Sequence, residues 1–365
     1  MLLFSDKMYN ISKKHQMELC VDNIKDYIQK IKTHLPFKIE RIISVDEIPS
    51  GFCNVNYVFR IDIDANDGEK TVYIKQARPY VKIDSKMRFS PDRICYEYKT
   101  IKIIAKIIGQ EVVPRVLYFD RKNFVMVMED LKRDGEVLAI ELKNGLIKPE
   151  IGKKFGKLLG ILHGKTFGKN IVIRNYKKDK EMFEFNYNFR TSGARKFDEN
   201  SVERLVNESK RFKKSLIISD LASKNVFVEG DNVRLYDFEG AHFGDPAWDV
   251  GFILGHFILE VVHRPQISKD VKELIKNFMK SYRLKMLECN INPDYIEGIE
   301  ERATKFMGTT ILHRVAGGVK GGKRVYKKYI AEENLQKIID VGLILLKGKY
   351  KTPEQAIIAL AEGFK

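Results

Sequence analysis

The segment IISDLASKNVFVEGDNVRLYDFEG, residues 217–240, sets Asp220, Asn225 and Asp237 among residues that otherwise read as buried strand. Carboxylate and amide oxygens are hard donors of the kind magnesium takes, usually one or two from the protein beside substrate phosphates. A positioned carboxylate can also accept the proton of an attacking hydroxyl. Polar side chains at strand ends serve equally well as turn formers, so the rest of the chain decides between these roles.

Phosphoryl transfer needs the phosphates held, a cation placed and an acceptor hydroxyl aligned. The chain supplies groups for these tasks in the order that a bilobal kinase uses. PSGFCNVN (49–56) lies between strand-like runs and fits a turn covering the phosphates, with Gly51, Asn54 and Asn56 as candidate nucleotide contacts. VYIKQA supplies Lys75 on the third strand, and RICYEYKTI supplies Glu97 on the following helix as its partner. VMVMEDL fits a hinge strand, where Glu129 and Leu131 would border the nucleotide. Asp220 then stands as the catalytic base, and Asn225 and Asp237 as magnesium ligands. Any one of these alone would be an ordinary surface residue. Their order and spacing carry the inference, which names ATP and Mg2+ as cofactors.

The elements that must position these groups are legible as patterns. VDNIKDYIQKIKTHL has apolar residues at helical spacing, within one or two amphipathic helices before Pro36. KIERIISV, NVNYVFRIDID and KTVYIKQA read as strands, the last two joined at Asn66-Asp67-Gly68, a hairpin signal. A helix is expected over residues 91–108 after Ser90-Pro91-Asp92, followed by strands RVLYFD and FVMVMED. From Leu131 onward helices dominate, with VFVEG-DN-VRLYDF as a hairpin standing alone and GGVKGG (317–322) as a loop between helices. The expected fold is α+β and protein-kinase-like: an N-terminal lobe of residues 1–130, antiparallel sheet with one main helix plus N-terminal helices, and a mainly helical C-terminal lobe of residues 131–365. Walker A and GxGxxG sequences are missing, which removes support for P-loop and dinucleotide folds.

The 365 residues give room for two cores, and the composition, 44% hydrophobic and 31% charged, is that of a globular protein. The longest apolar run, VGFILGHFILEVV, is too short for a bilayer, and the N-terminus has no small-residue cleavage site. Four scattered cysteines without a CxxC argue against both zinc and a disulfide framework, so the expected location is the cytosol. The net charge of +16 raises nucleic acid as a partner. The lysines, however, are spread along the chain among glutamates, and no nucleic-acid motif accompanies them. A solvated basic surface that helps to attract an anionic small ligand is the expectation, with no specific nucleic acid and no membrane as partner.

The stretch YDFEGAHFGDPAWDVGFIL resembles the C-lobe signature of aminoglycoside phosphotransferase-like small-molecule kinases. Within that superfamily the N-lobe resembles 5-methylthioribose kinase, through NVNYVFRI, YIKQARPYVK, SPDRICYEYKTI, PRVLYFDRKNFVMVMEDL and, late in the chain, ILHRVAGGVKG. The similarity runs from about Ile42 to Gly322. It implies that Asp249 braces the catalytic loop through backbone hydrogen bonds and that Trp248 packs in the core. It implies further that Glu239, placed where these kinases carry Asp-Pro-Glu, is a ligand of a second magnesium or else an exposed loop residue. His313 and Arg314 align with a pair of arginines that lies close to the sugar and the transferring phosphoryl group, so one arginine has become histidine. Arg314 is then a substrate contact or a helix-surface residue, and an altered acceptor is implied: another pentose, a deoxysugar or a small amino alcohol. Family members are often dimers, which leaves a homodimer open.

The catalytic loop departs from the family text HGDLHPGN or HGDLHTGS. Here it reads ISDLASKN, with both histidines absent and Ile218 as an apolar substitute for the first. Lys224 either faces the transferred phosphate or points to solvent. His163 reads as a core or capping histidine, and His256 and His263 lie seven apart on one apolar helix without a third metal ligand. The expected activity is ATP-dependent phosphorylation of a hydroxyl on a small metabolite, 5-methylthioribose or a related sugar. The alternatives are an aminoglycoside-like or choline-like acceptor, and a non-catalytic nucleotide- or RNA-binding pseudokinase. Lys and Arg in region 267–330 weigh against a cationic acceptor.

Overall fold

A computed structural model describes residues 17–50, 53–131, 135–169, 180, 184–185, 187–316 and 332–363. The first expected helical stretch before residue 17, Gly51 in the covering turn, and GGVKGG lie outside them. The chain divides into two compact units. One holds the described residues up to Ile101 together with Pro114–Leu131; the other holds Lys102–Val113 and the chain from Lys132 on.

In the first unit, helix α1 (Ile24–Ile31) buries Ile24, Tyr27, Ile28 and Ile31, positions i, i+3, i+4 and i+7 of one face. Strands β1 (Ile39–Glu47), β2 (Tyr57–Ala65) and β3 (Gly68–Gln76) follow, then a short hairpin of β4 (Tyr80–Val81) and β5 (Asp84–Arg88) that the sequence patterns did not announce. Helix α2 (Arg93–Ile107), whose residues from Lys102 on belong to the other unit, leads to β6 (Val116–Asp120) and β7 (Val125–Glu129). The five longer strands form one sheet in the order β1-β2-β3-β7-β6, every pair antiparallel. Phe59, Ile61, Ile63 and Ala65 alternate along β2 and join the buried face of α1 in a single core. The β2–β3 turn closes on the pair Ala65–Gly68, where Gly68 takes φ +110°, a value that costs glycine nothing.

In the second unit, β8 (Glu136–Val137), α3 (Leu138–Lys143), α4 (Pro149–Thr166) and α5 (Ser192–Arg211) precede β9 (Ser215–Ile217). Then come β10 (Val226–Glu229), β11 (Asn232–Leu235), β12 (His242–Gly244), α6 (Pro246–His263), α7 (Ser268–Glu288), α8 (Pro293–Ala316), α9 (Glu332–Leu346) and α10 (Pro353–Gly363). The β10–β11 hairpin does not stand alone, because β8 adds a third strand to it and β9 pairs with β12 beside it. Strands of two or three residues carry too little periodicity to be read from sequence. The apolar run of residues 250–262 is the middle of α6, buried on nearly every side, which explains why it is apolar all round. Helices α4 and α7 approach backbone to backbone: a Cβ on Gly152 would lie 2.1 Å from the Leu274 carbonyl oxygen, and one on Gly156 2.0 Å from that of Phe278. No described helix is long and apolar enough to cross a membrane.

Candidate active site

The loop after β9 carries Asp220, and a buried carboxylate holds it from below. Asp249, on the first turn of α6, accepts hydrogen bonds from the Ile218 N–H at 2.7 Å and the Ser219 N–H at 2.8 Å, one on each oxygen. His163 Nε2, on α4, lies 3.3 Å from the same carboxylate, while its Nδ1 lies 3.0 Å from the Tyr282 hydroxyl. A carboxylate only accepts, so the Nε2 proton belongs on that side and Nδ1 takes the tyrosine proton. Trp248 adds a fourth tie, donating from Nε1 to the Ser219 carbonyl at 2.9 Å. Ser219 itself sits at φ +73°, a left-handed conformation that a serine adopts only when its surroundings enforce it. Ile218, expected as an apolar substitute for a histidine, is buried. The loop is therefore held through its main chain, which does not depend on that side chain.

Asp245 starts α6, accepting from the Ala247 N–H at 3.1 Å as a helix cap. Its two oxygens also receive Arg302 Nε and Nη2 at 2.7 and 3.1 Å, a fork-to-fork pair inside the unit. The GDPAWD segment thus fixes α6 at its start and, one turn later, the loop that carries Asp220.

Around Asp220 the charges are uneven. Arg190, two residues before α5, donates from Nη1 to Asp220 Oδ1 at 2.6 Å. Burial pushes the Asp220 carboxyl up, but the charges of Arg190, Lys224 and Arg314 outweigh it and hold the group well below the usual carboxylate range. Arg314 Nη2 lies 2.9 Å from His256 Nε2, whose other nitrogen is 3.5 Å from the Ser223 hydroxyl. Burial first, and then the Arg314 charge, keep the His256 imidazole far below its ordinary value. A neutral ring that accepts at Nε2 carries its proton on Nδ1, facing Ser223. The guanidinium carbons of Arg190 and Arg314 lie 5.2 and 5.6 Å from the centre of one ring, Phe252. His313, next to Arg314 on α8, is buried with its ring 5.7 Å from that of Phe189, beside Arg190. Lys224 is exposed.

The expected metal ligands sit at the base of the β10–β11 hairpin. Val226 pairs with Leu235, and the Tyr236 N–H donates to the Asn225 carbonyl at 3.2 Å, which sets Asn225 and Asp237 at the same end of the ladder. Asn225 donates from Nδ2 to the Asp220 carbonyl at 2.9 Å, so its amide oxygen is the side left for a cation. Asp237, at φ +68°, and Glu239 are both half-buried. The described residues contain no cluster of three or more His, Cys, Asp or Glu able to hold a metal by themselves. One amide and one or two carboxylates still fit magnesium, which takes its remaining ligands from water and phosphate.

In the first unit, Lys75 Nζ meets Glu97 Oε1 at 2.9 Å and Oε2 at 2.8 Å, with both side chains more than nine-tenths buried. Asn56 is also buried, and its side-chain oxygen accepts from Arg93 Nε at 2.9 Å. The same guanidinium donates to the carbonyls of Arg78, Ser90 and Phe89 at 2.8–3.0 Å. Asn56 thus holds the covering turn in place. Asn54 contributes its carbonyl to the Ile83 N–H at 3.0 Å, and Val55 its carbonyl to Lys82, so the β4–β5 hairpin carries the turn. At the end of β7, Glu129 accepts from the Arg115 N–H at 2.9 Å, and Leu131, half-buried, ends the unit.

Sequence reasoning did not find Arg190, Arg93 or the pairing of His256 with Arg314. Arg93 had a signal, since an arginine four residues before Glu97 on the same helix faces the same turn. Arg190 had none, because its partner lies thirty residues away with no element pattern linking the two.

No family model matches the chain. Methylthioribose kinase of Bacillus mycoides (strain KBAB4) is 26% identical over 338 residues, spanning 80% of this chain and 83% of that protein. The 4-hydroxytryptamine kinase of Psilocybe cyanescens is 25% identical over 272 residues, 65% of this chain and 73% of the relative. Among solved structures, an amicoumacin kinase in complex with AMP-PNP and Ca2+ superimposes with a TM-score of 0.51 at 13% identity, over 92% of this chain and 98% of the other. The choline kinase of Cryptosporidium parvum Iowa II gives 0.51 at 15% identity, over 93% and 99%. The antiparallel-sheet unit and the helical unit are those of the protein-kinase-like α+β fold.

Proposed function

We propose that this small-molecule kinase, similar to methylthioribose kinases, transfers the terminal phosphoryl group of ATP to a hydroxyl of a small metabolite, 5-methylthioribose or a related sugar. The observation that carries the reading is the buried Lys75–Glu97 pair, the arrangement kinases use to hold a lysine toward nucleotide phosphates. Asp220 accepts the hydroxyl proton as the acceptor oxygen bonds to the terminal phosphorus, and the bond to the bridging oxygen breaks to release ADP. Asn225 and Asp237, with Glu239 as a further donor, would hold Mg2+, which when bound neutralises charge developing on the phosphate oxygens. The covering turn at residues 51–56 and the segment Glu129–Leu131 would border the nucleotide. Asn54 and Asn56 act there by fixing the turn, and His313 and Arg314 would line the acceptor side.

The relatives' names offer two acceptor chemistries, a thio-sugar and an aromatic amine bearing a hydroxyl. Cations surround Asp220, and an ammonium beside them would be repelled. The sugar is therefore the favoured class. Magnesium-dependent ADP release with 5-methylthioribose, beside pentoses, deoxysugars and amino alcohols, tests the reading, with Asp220→Ala as the control. Acceptor-dependent release that the variant loses supports it. Bound ATP with no release for any acceptor rejects it.

A further inference from the structure

We propose that Tyr282, on α7, is a positioning residue for Asp220 and acts through His163 and Asp249. The inference rests on the reading of Asp220 as the base and adds to that site a fully buried residue of another helix. The chain of contacts begins in the packing of two helices. Gly152, Gly156 and Gly160 recur every four residues on α4 and let α7 approach to the backbone. A Cβ on Gly160 would lie 2.8 Å from the Tyr282 carbonyl oxygen, so main-chain contact fixes where Tyr282 stands against α4. His163 follows on the next turn, and its ring meets that of Tyr282 edge to face, with centroids 5.8 Å apart.

Burial pushes the Tyr282 hydroxyl well above its ordinary value, so it keeps its proton and donates it to His163 Nδ1 at 3.0 Å. The ring's own proton is then on Nε2, aimed at the Asp249 carboxylate 3.3 Å away. All three side chains are fully buried, where bulk water does not replace a missing donor. Asp249 converts this chain into loop geometry. Its Oδ2 takes the His163 proton together with the Ile218 N–H at 2.7 Å, and its Oδ1 takes the Ser219 N–H at 2.8 Å. Without the imidazole donor the carboxylate can turn about its own bonds, and the two amides lose their fixed place. Ser219, at φ +73°, would then relax toward an ordinary conformation and carry the next residue, Asp220, with it. His163 also steadies the strand that enters the loop, since its carbonyl accepts from the Ser215 hydroxyl at 2.9 Å. A displaced base loses rate steeply, because it must stay within hydrogen-bond reach of the acceptor hydroxyl.

Tyr282→Phe keeps the ring and removes only the hydroxyl, so it is the first variant. His163→Phe, His163→Gln and the double variant Tyr282→Phe/His163→Phe complete the set. Steady-state ADP release, with the acceptor selected from the panel above, gives kcat and both KM values. Tyr282→Phe should lower kcat by about 5- to 20-fold and His163→Phe by about 30- to 300-fold, with both KM values within about twofold of wild type. The double variant should be no slower than His163→Phe, because Tyr282 acts only through the imidazole. His163→Gln, whose amide still donates toward Asp249, should recover part of the loss. Effects of the two substitutions that multiply in the double variant overturn the inference and leave the kinase reading intact. So does Tyr282→Phe with wild-type kcat, or with a loss that lies in KM. If His163→Phe does not fold, Tyr282→Phe and His163→Gln decide on kcat and KM alone. If wild type releases no ADP with any acceptor, the kinase reading fails, and the NMR signals of the Ile218 and Ser219 amides decide the relay separately. Signals that move in Tyr282→Phe support it, and signals that stay in place end it.

Discussion

The Lys75–Glu97 pair and the Asp220 cluster are both ionic, yet they are built on different terms. In the first, one cation meets one carboxylate at both oxygens, and the charges cancel inside a sheet-and-helix core. In the second, Asp220 accepts from Arg190, and the charges of Lys224 and Arg314 act on the same carboxylate. A balanced pair can persist unchanged whether or not a ligand is present. Where several cations lower one carboxyl, each substitution among them changes its charge state. The lesson is that a site's tolerance of substitution follows from its charge balance more than from its burial.

The largest effect that separates the two falls on Asp220. Asp220→Asn should lower kcat by about a thousandfold or more, the range expected for losing a general base, with circular dichroism as the check that the variant is folded. Near-normal turnover would remove Asp220 from the chemistry. Glu97→Ala breaks the balanced pair instead. It leaves Lys75 buried without its counter-charge, and denaturant titration should show a loss of about 3–5 kcal/mol, with activity falling alongside stability. A variant as stable as wild type would show that Lys75 finds water or another acceptor.

Smaller, but more diagnostic, is the response to pH. A base must be deprotonated, so activity is lost as pH falls through the Asp220 value, which the surrounding cations place below the usual range. Arg190→Gln removes the nearest of them and leaves Lys224, Arg314 and the neutral His256 facing the carboxylate. The acid limb of the kcat/KM profile should therefore move to higher pH in the variant. An unmoved limb would mean that Arg190 does not set the charge state of Asp220. Gly156→Ala serves as a comparison that touches neither group of charges. Its methyl would meet the Phe278 carbonyl, and a loss of about 1–3 kcal/mol with an unchanged pH profile is expected.

The parts of the molecule that repeat a local rule were readable before the structure. The spacing of Ile24, Tyr27, Ile28 and Ile31, the alternation along β2 and the turn at Asn66-Asp67-Gly68 each encode their element within a few residues. The pairing of Lys75 with Glu97 and the nearness of Asn225 to Asp220 were readable because their order along the chain is itself the signal. What stayed hidden depends on residues distant in sequence. Arg190 reaches Asp220, Arg302 reaches Asp245 and Arg314 reaches His256 only after helices from separate parts of the chain have packed. Arginine is common on helix surfaces, so its type alone does not distinguish a buried fork from a solvated one. The strands β8, β9 and β12, two or three residues each, were invisible for a different reason: they exist only because a neighbour offers them a partner.

The clamp that Asp249 places on the Ile218 and Ser219 amides bears on time as well as on shape. An amide proton held by a fully buried carboxylate leaves for deuterated solvent only when the surrounding structure opens, so these two loop amides belong with the slowest-exchanging protons of the helical core.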